Sequence, residues 1–339
     1  MSTPLAILST GLVTSVGLSA PAACAAIRTG ITNPCETAFL DLKGERILAH
    51  EVPLDQPWRG RTRLVKMAAL ALSECLSDWQ PSEYSQIPLV LCVAERDRPG
   101  RLEDLDTDLF LEIQQELGVE FAPESMIVPQ GRVSVSHALA RAREILEQGL
   151  APLILIAATD SLLSGPTLEA YAESRRLLTE ENPDGFMPGE GAGALLVGPA
   201  GDDGKLICAG IGFGTEEASI LAEQPLRGDG LAHAIKAALT ESGRQMHEFD
   251  FRITDASGEQ YYFKEAALGV SRLMRVRKIG FDIWHPAECT GETGAAAGAT
   301  VIAVAEAACR KGYALGENIL CHFSNDAGQR AATVFEYRG

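Results

Sequence analysis

The stretch PDGFMPGEGAGALLV, residues 183–197, constrains the fold more than any other part of the chain. Two tight glycine turns hold a single acid, Glu190, and an apolar, strand-like run follows at once. Glycines at this spacing let the backbone take positive φ and approach another segment closely. Such a loop positions a group, or lets two parts of a fold pack. By itself it is not a reaction.

The rest of the chain alternates short apolar runs with helical periodicity, which implies α/β layers. Residues 5–8 read as a strand, followed by STGLVTSVG and a helix over 20–29 that Gly30 stops. Helices are expected over 67–76, 107–117 (capped by Gly118), 133–148, 166–178, 231–239, 259–271 and 295–309. Strands are expected over 89–94, 153–158, 192–197, 251–255, 281–284, 319–323 and 332–337. Residues 201–204 are a polar, glycine-rich linker. After it, residues 205–212 repeat the shape of 5–17, an apolar strand and then glycine. The chain thus divides into halves 1–200 and 205–339, an internal duplication.

Composition narrows the function classes. With 339 residues, 46% hydrophobic and 22% charged, the chain has a real core to bury. A formal net charge of −17 argues against nucleic acid and anionic membrane as partners, since both call for a cationic surface. The eight cysteines are scattered, with no CxxC pair and no zinc spacing, so reduced, mostly buried thiols, a cytoplasmic setting and no metal or other cofactor are expected. PAAC at 21–24 has the look of a lipoprotein cleavage site, but no Lys or Arg precedes Arg28, and Gly11 and Gly17 interrupt the apolar run. A first strand and turn are the better reading. Arg59, Arg61, Arg63 and Lys66 form the one basic cluster. It would suit a phosphate or an acidic carrier protein, but a solvated loop before the helix is the favoured reading.

The segment DGFMPGEGAGALLV resembles the DGF-x-x-GEGAG-x-L-V-L segment of β-ketoacyl synthases of the thiolase-like superfamily. TGLVTSVG with the helix after it is similar to the opening of the same family. The resemblance spans nearly the whole chain. It implies a five-layer αβαβα fold of two duplicated halves, and a homodimer.

The family's chemistry needs a cysteine thiolate at a buried helix N-terminus, two histidines that stabilise the oxyanion, and a lysine. Aligned on those motifs, this chain has none of them. The nucleophile position falls on Arg132, and sliding the register gives Val133, Ser134, Val135 or Ser136. The first histidine falls on Ser257, in DASGEQYYFKE. The second falls on Glu292, in CTGETGAAAG, and the lysine on Ala287. No residue is therefore expected to be catalytic by the family's route.

Three readings follow from the resemblance. The first is a catalytically degenerate synthase-like protein that acts by binding or assembly, similar to bacterial thiolase-like accessory proteins associated with type VI secretion. The second is an acyltransferase or 3-oxoacyl synthase-type enzyme with a relocated nucleophile, Cys289 or Ser136. The third is a binder of an acyl thioester or coenzyme A without turnover. Ser136, His137, Glu190, Asp255, Cys289 and Asn325 are candidates for a remodelled pocket. Ser136 and His137 are adjacent on a helix and do not face each other. A buried ion pair between Arg132 and Glu292 or another acid is the plain structural alternative.

Overall fold

The alternation of strand and helix is present in the computed structural model, which describes residues 3–201 and 205–339. The elements run β1 (Leu5–Val13), α1 (Ala20–Arg28), β2 (Cys35–Leu40), β3 (Arg46–Ala49), α2 (Gly60–Cys75), β4 (Leu89–Val93), α3 (Asp108–Leu117), β5 (Met126–Pro129), α4 (Ser134–Glu147), β6 (Ile154–Ser161), α5 (Gly165–Glu173) and β7 (Glu190–Pro199). They continue with β8 (Lys205–Thr215), α6 (Asp229–Ser242), β9 (Phe251–Thr254), α7 (Gln260–Leu273), β10 (Ile283–Trp284), α8 (Ala287–Thr290), α9 (Ala297–Arg310), β11 (Asn318–Ser324) and β12 (Gln329–Arg338). Of the expected linker, residues 202–204 lie outside the described residues.

Ten strands hydrogen-bond in the order β10-β9-β11-β12-β8-β1-β7-β6-β4-β5. One arrangement occurs twice. In the first five strands β7 runs antiparallel to both β1 and β6, and β6, β4 and β5 are parallel. In the second five, β12 runs antiparallel to β8 and β11, and β11, β9 and β10 are parallel. Antiparallel pairing of β1 with β8 joins them.

Period-two burial builds the layers. Ile154, Ile156 and Ala158 of β6 pack with the central helices α4 and α9, while Leu155 and Ala157 pack with α2 and α3. In the second five strands Ile319, Cys321 and Phe323 of β11 face the same central helices, and Leu320 faces α6 and α7. Helix, sheet, helix, sheet and helix stack as the expected five-layer α/β fold.

Several expectations need correction. The β2–β3 hairpin and β5 gave no sequence signal. Helix α2 begins at Gly60 rather than at residue 67, and α5 ends at Glu173 rather than at 178. None of Gly185, Gly189, Gly191 and Gly193 has positive φ. Their role is close approach alone: a Cβ on Gly189 would lie 2.4 Å from the Thr290 carbonyl oxygen, and one on Gly193 2.6 Å from the Ala299 Cβ. No helix of the described residues is long and apolar enough to cross a membrane.

Candidate functional site

Arg132 sits in the single 3-10 turn Gly131–Val133 that leads into α4, and its side chain is buried. The turn is placed by the central layer, where α4 meets α9. Arg132 Nη1 donates to Glu292 Oε2 at 3.0 Å, and Nη2 donates to Asp326 Oδ1 at 3.0 Å. Asp255 lies 3.9 Å from Nε. The guanidinium covers the Tyr262 ring at 4.4 Å, a stacking that suits its planar, weakly hydrated charge.

The acids are shared. Glu292 also accepts from Ser257 Oγ at 2.9 Å and from the Gly294 N–H at 2.9 Å. Asp326 is held by a second arginine, Arg176, at 2.5 and 3.1 Å, and by the hydroxyls of Tyr262 at 2.5 Å and Tyr171 at 3.2 Å. Arg176 makes a bidentate pair with Glu259, both contacts at 2.8 Å. Next to this, Arg98 bridges Glu95 and Asp160, and Asp160 accepts the Ala295 N–H at 2.8 Å.

Burial sets the protonation of these groups. It raises the Asp255 carboxyl to about 7, against the opposing pull of Arg132. Burial acts the same way on Asp326, but there Arg132, Arg176 and the Tyr262 hydroxyl overcome it and hold the carboxyl below the ordinary range. The cavity left among Arg98, Arg132, Tyr171, Arg176, Glu292 and Asp326 is ≈ 10 Å³, room for about one water. A second void of ≈ 10 Å³ separates Asp255 and Glu292 from Ala287. Three arginines and their acids fill the space.

The structure therefore brings Arg132, Ser257, Asp255 and Glu292 together, with Ala287 at the edge. It separates the other pocket candidates. Asn325 shapes the β11–β12 turn, accepting from the Gln329 N–H at 2.8 Å, and touches the cluster only through the Gln130 carbonyl at 3.4 Å. Glu190 is fully buried and paired with Arg63. That corrects the reading of the basic cluster as a solvated loop: Arg63 is a buried partner. Arg61 bonds Glu112 on α3 at 2.7 and 2.9 Å, and Lys66 bonds Glu116 at 2.6 Å.

Neither alternative nucleophile has a base. Cys289 is buried, and burial pushes its thiol up to about 11. His285 faces Phe263, with ring centroids 5.3 Å apart, and Glu288. The Ser136 hydroxyl is buried and has no hydrogen-bond partner among the described residues, while His137 stacks on Phe213 at 4.2 Å. Arg176, Glu259, Asp326, Tyr171 and Arg98 escaped the sequence reading. Asp326 lay inside the glycine-rich closing segment, but Arg176 carried no local signal.

Neither a family model nor a curated protein matches the chain. Solved structures do. The ishigamide ketosynthase/chain length factor superposes with a TM-score of 0.73 at 18% identity, over 99% of this chain and 100% of that one. The fold is thiolase-like. The ketosynthase ApeO in complex with its chain length factor ApeC, from Xenorhabdus doucetiae, gives 0.76 at 14% identity over 99% and 98%. A β-ketoacyl synthase from Burkholderia phymatum STM815 gives 0.74 at 16% over 99% and 100%. At these identities the likeness establishes the fold alone.

Proposed function

We propose that the chain is a ketosynthase-like protein without condensing activity, which acts by assembly with a partner of the same fold. The charge cluster around Arg132 carries this reading. A condensing site needs a thiolate, neutral donors for an oxyanion, and room for an acyl chain. Here the corresponding space holds a buried guanidinium clamped by Glu292 and Asp326, with a residual cavity of ≈ 10 Å³. Groups already committed to one another have nothing to offer a substrate.

The aligned positions Arg132, Ser257, Glu292 and Ala287 are read as the degenerate remains of the nucleophile, the two histidines and the lysine. The halves 1–200 and 205–339 are read as duplicated units that now serve as scaffold. One of the similar solved structures is a ketosynthase in complex with its chain length factor, which supports an assembly role. A homodimer is the state proposed for this chain, in a cytoplasmic setting that suits eight unpaired cysteines. The narrower role of accessory protein to type VI secretion rests on the resemblance of the motifs.

Native mass spectrometry after incubation with a panel of acyl-coenzyme A thioesters tests both parts. The expected result is a dimer of unmodified chains. A stoichiometric acyl adduct on Ser136 or Cys289 overturns the non-condensing reading in favour of acyl transfer, and a monomer overturns the assembly role.

A further inference from the structure

A second cavity, of ≈ 350 Å³, lies away from the charge cluster. It is enclosed by the β2–β3 hairpin, the start of α2, and the loop from β6 to α5. Phe39, Trp58, Leu102 and Leu163 give it apolar walls, and buried Arg63 and Glu190 form its floor. The volume falls in the range of small-molecule sites, roughly 300–1,000 Å³.

Its hydrogen-bonding capacity is one-sided. Both Glu190 oxygens are taken: Oε1 accepts the Val52 N–H at 2.9 Å and Arg63, and Oε2 accepts Ser161 Oγ at 2.8 Å and Arg63 Nε at 2.9 Å. Ser164 Oγ is committed to Thr167. Arg63 spends Nε and Nη2 on Glu190 and the Val52 carbonyl, but Nη1 reaches only the Trp58 carbonyl, at 3.4 Å. Arg59 is exposed at the mouth, makes no capping bond, and has no ion-pair partner among the described residues. The one acid at the rim, Glu51, is half exposed and stays 3.4 Å from Arg63 Nη2. Open donors therefore remain and open acceptors do not.

We propose that this cavity binds a small amphipathic carboxylate, its apolar part between Phe39, Trp58 and Leu163 and its carboxylate toward Arg59 and Arg63 Nη1. In a chain of net charge −17 such a site requires local cations, and Arg59 supplies one that no internal acid neutralises. The site is independent of the non-condensing reading. An acyl adduct at Ser136 or Cys289 removes that reading and leaves this one standing.

Trp58 provides the measurement. The probe is 4-nitrobenzoate, which quenches tryptophan on contact, and 4-nitrobenzyl alcohol is its neutral counterpart. The expected result is saturable quenching by the carboxylate, with the neutral probe about tenfold weaker, as befits loss of a charge-assisted hydrogen bond. Arg59→Ala, an exposed position, weakens the carboxylate about tenfold, and Glu51→Gln strengthens it. Trp58→Phe removes the saturable component, and Leu163→Trp, which fills the cavity, blocks it. Quenching that rises linearly without saturation, or that is equal for both probes or indifferent to Arg59→Ala, overturns the proposal.

Discussion

Glu190 and Arg330 occupy the same register position in the two sets of five strands, and they carry opposite charge. Glu190 opposes Ser161 across the β6–β7 pair, and Arg330 opposes Ser324 across the β11–β12 pair. Each is buried and paired with a helix residue, Glu190 with Arg63 and Arg330 with Glu265. Each serine hydroxyl donates to the carboxylate of its pair, at 2.8 and 3.1 Å. The two sites thus share a position and a hydroxyl but have exchanged acid for base. Arg63→Met leaves Glu190 charged and buried, and costs about 3–5 kcal/mol. The double variant Arg63→Met with Glu190→Met recovers most of that loss. Urea unfolding of the two singles and the double measures it. A double variant as unstable as the sum of the singles sinks the pairing argument.

The Arg132 cluster has a pH signature. The Asp255 carboxyl is raised to about 7 in the folded protein and lies near 3.9 when unfolded. Between these values the native state holds a proton that the unfolded chain has lost. The contribution of Asp255 to stability therefore falls as pH rises from about 4 to about 7, and is level above. Asp255→Asn removes the loss, so the variant gains on the wild type across that window. The gain is on the order of a few kcal/mol, at ~1.4 kcal/mol per pKa unit. His322 and His50, lowered by burial to about 3 and about 4, act in the opposite sense. Their contribution is complete above about 6.5 and is lost as pH falls toward the folded values. Both histidines are present in wild type and variant, so the difference between the two urea midpoints, taken from pH 4 to pH 8, isolates Asp255. A difference that does not change with pH rules out the burial argument.

What the sequence displayed was local. Period-two burial and glycine stops located the long strands and helices, because each rests on neighbouring residues. The motif around Glu292 and the turn before α4 placed Ser257, Glu292 and Arg132 within one cluster. The β2–β3 hairpin stayed hidden because its outer face keeps Leu40 and Leu48 exposed, which blurs the alternation. The remaining partners were out of reach for a different reason. Arg132 meets Asp326 across 194 positions, and Arg176 meets Glu259 across 83. Nothing near Arg176 in the chain distinguishes it from Arg175 beside it, which the backbone turns out at φ 55. Ion pairing between distant segments is decided by packing, and packing is not written in any one window of the chain.

The glycines of the GEGAG loop make a sharp prediction about backbone. Since Gly189 lacks positive φ, alanine there is conformationally acceptable, and the cost is steric alone. Its Cβ meets the Thr290 carbonyl oxygen at 2.4 Å, a backbone atom that cannot swing aside. That places Gly189→Ala at about 1–3 kcal/mol of destabilisation or more. Gly201→Ala, where a Cβ has open space, stays within about 0.5 kcal/mol of wild type or is slightly stabilised. Thermal unfolding of the two variants side by side checks the contrast, and equal shifts argue against close approach as the reason for glycine.

Thiol reactivity separates an inert scaffold from a concealed nucleophile. Cys24, Cys75, Cys92, Cys208, Cys289, Cys309 and Cys321 are buried, and only Cys35 is partly exposed. Burial raises the Cys289 thiol to about 11 and those of Cys24, Cys75, Cys208 and Cys309 to about 12. At pH 8 a thiol with a pKa near 11 is ionised only to about one part in a thousand, and the thiolate is the reacting form. Iodoacetamide added to the folded protein at pH 8 therefore alkylates Cys35 first and gives a single dominant adduct on the time scale of minutes. Peptide mapping locates it. Cys35→Ser abolishes the fast adduct without exposing another, whereas in urea all eight cysteines react. Rapid labelling of Cys289 in the native protein contradicts the inert thiol and reopens it as an acyl acceptor, because a thiol that outruns Cys35 from a buried position has an activated thiolate.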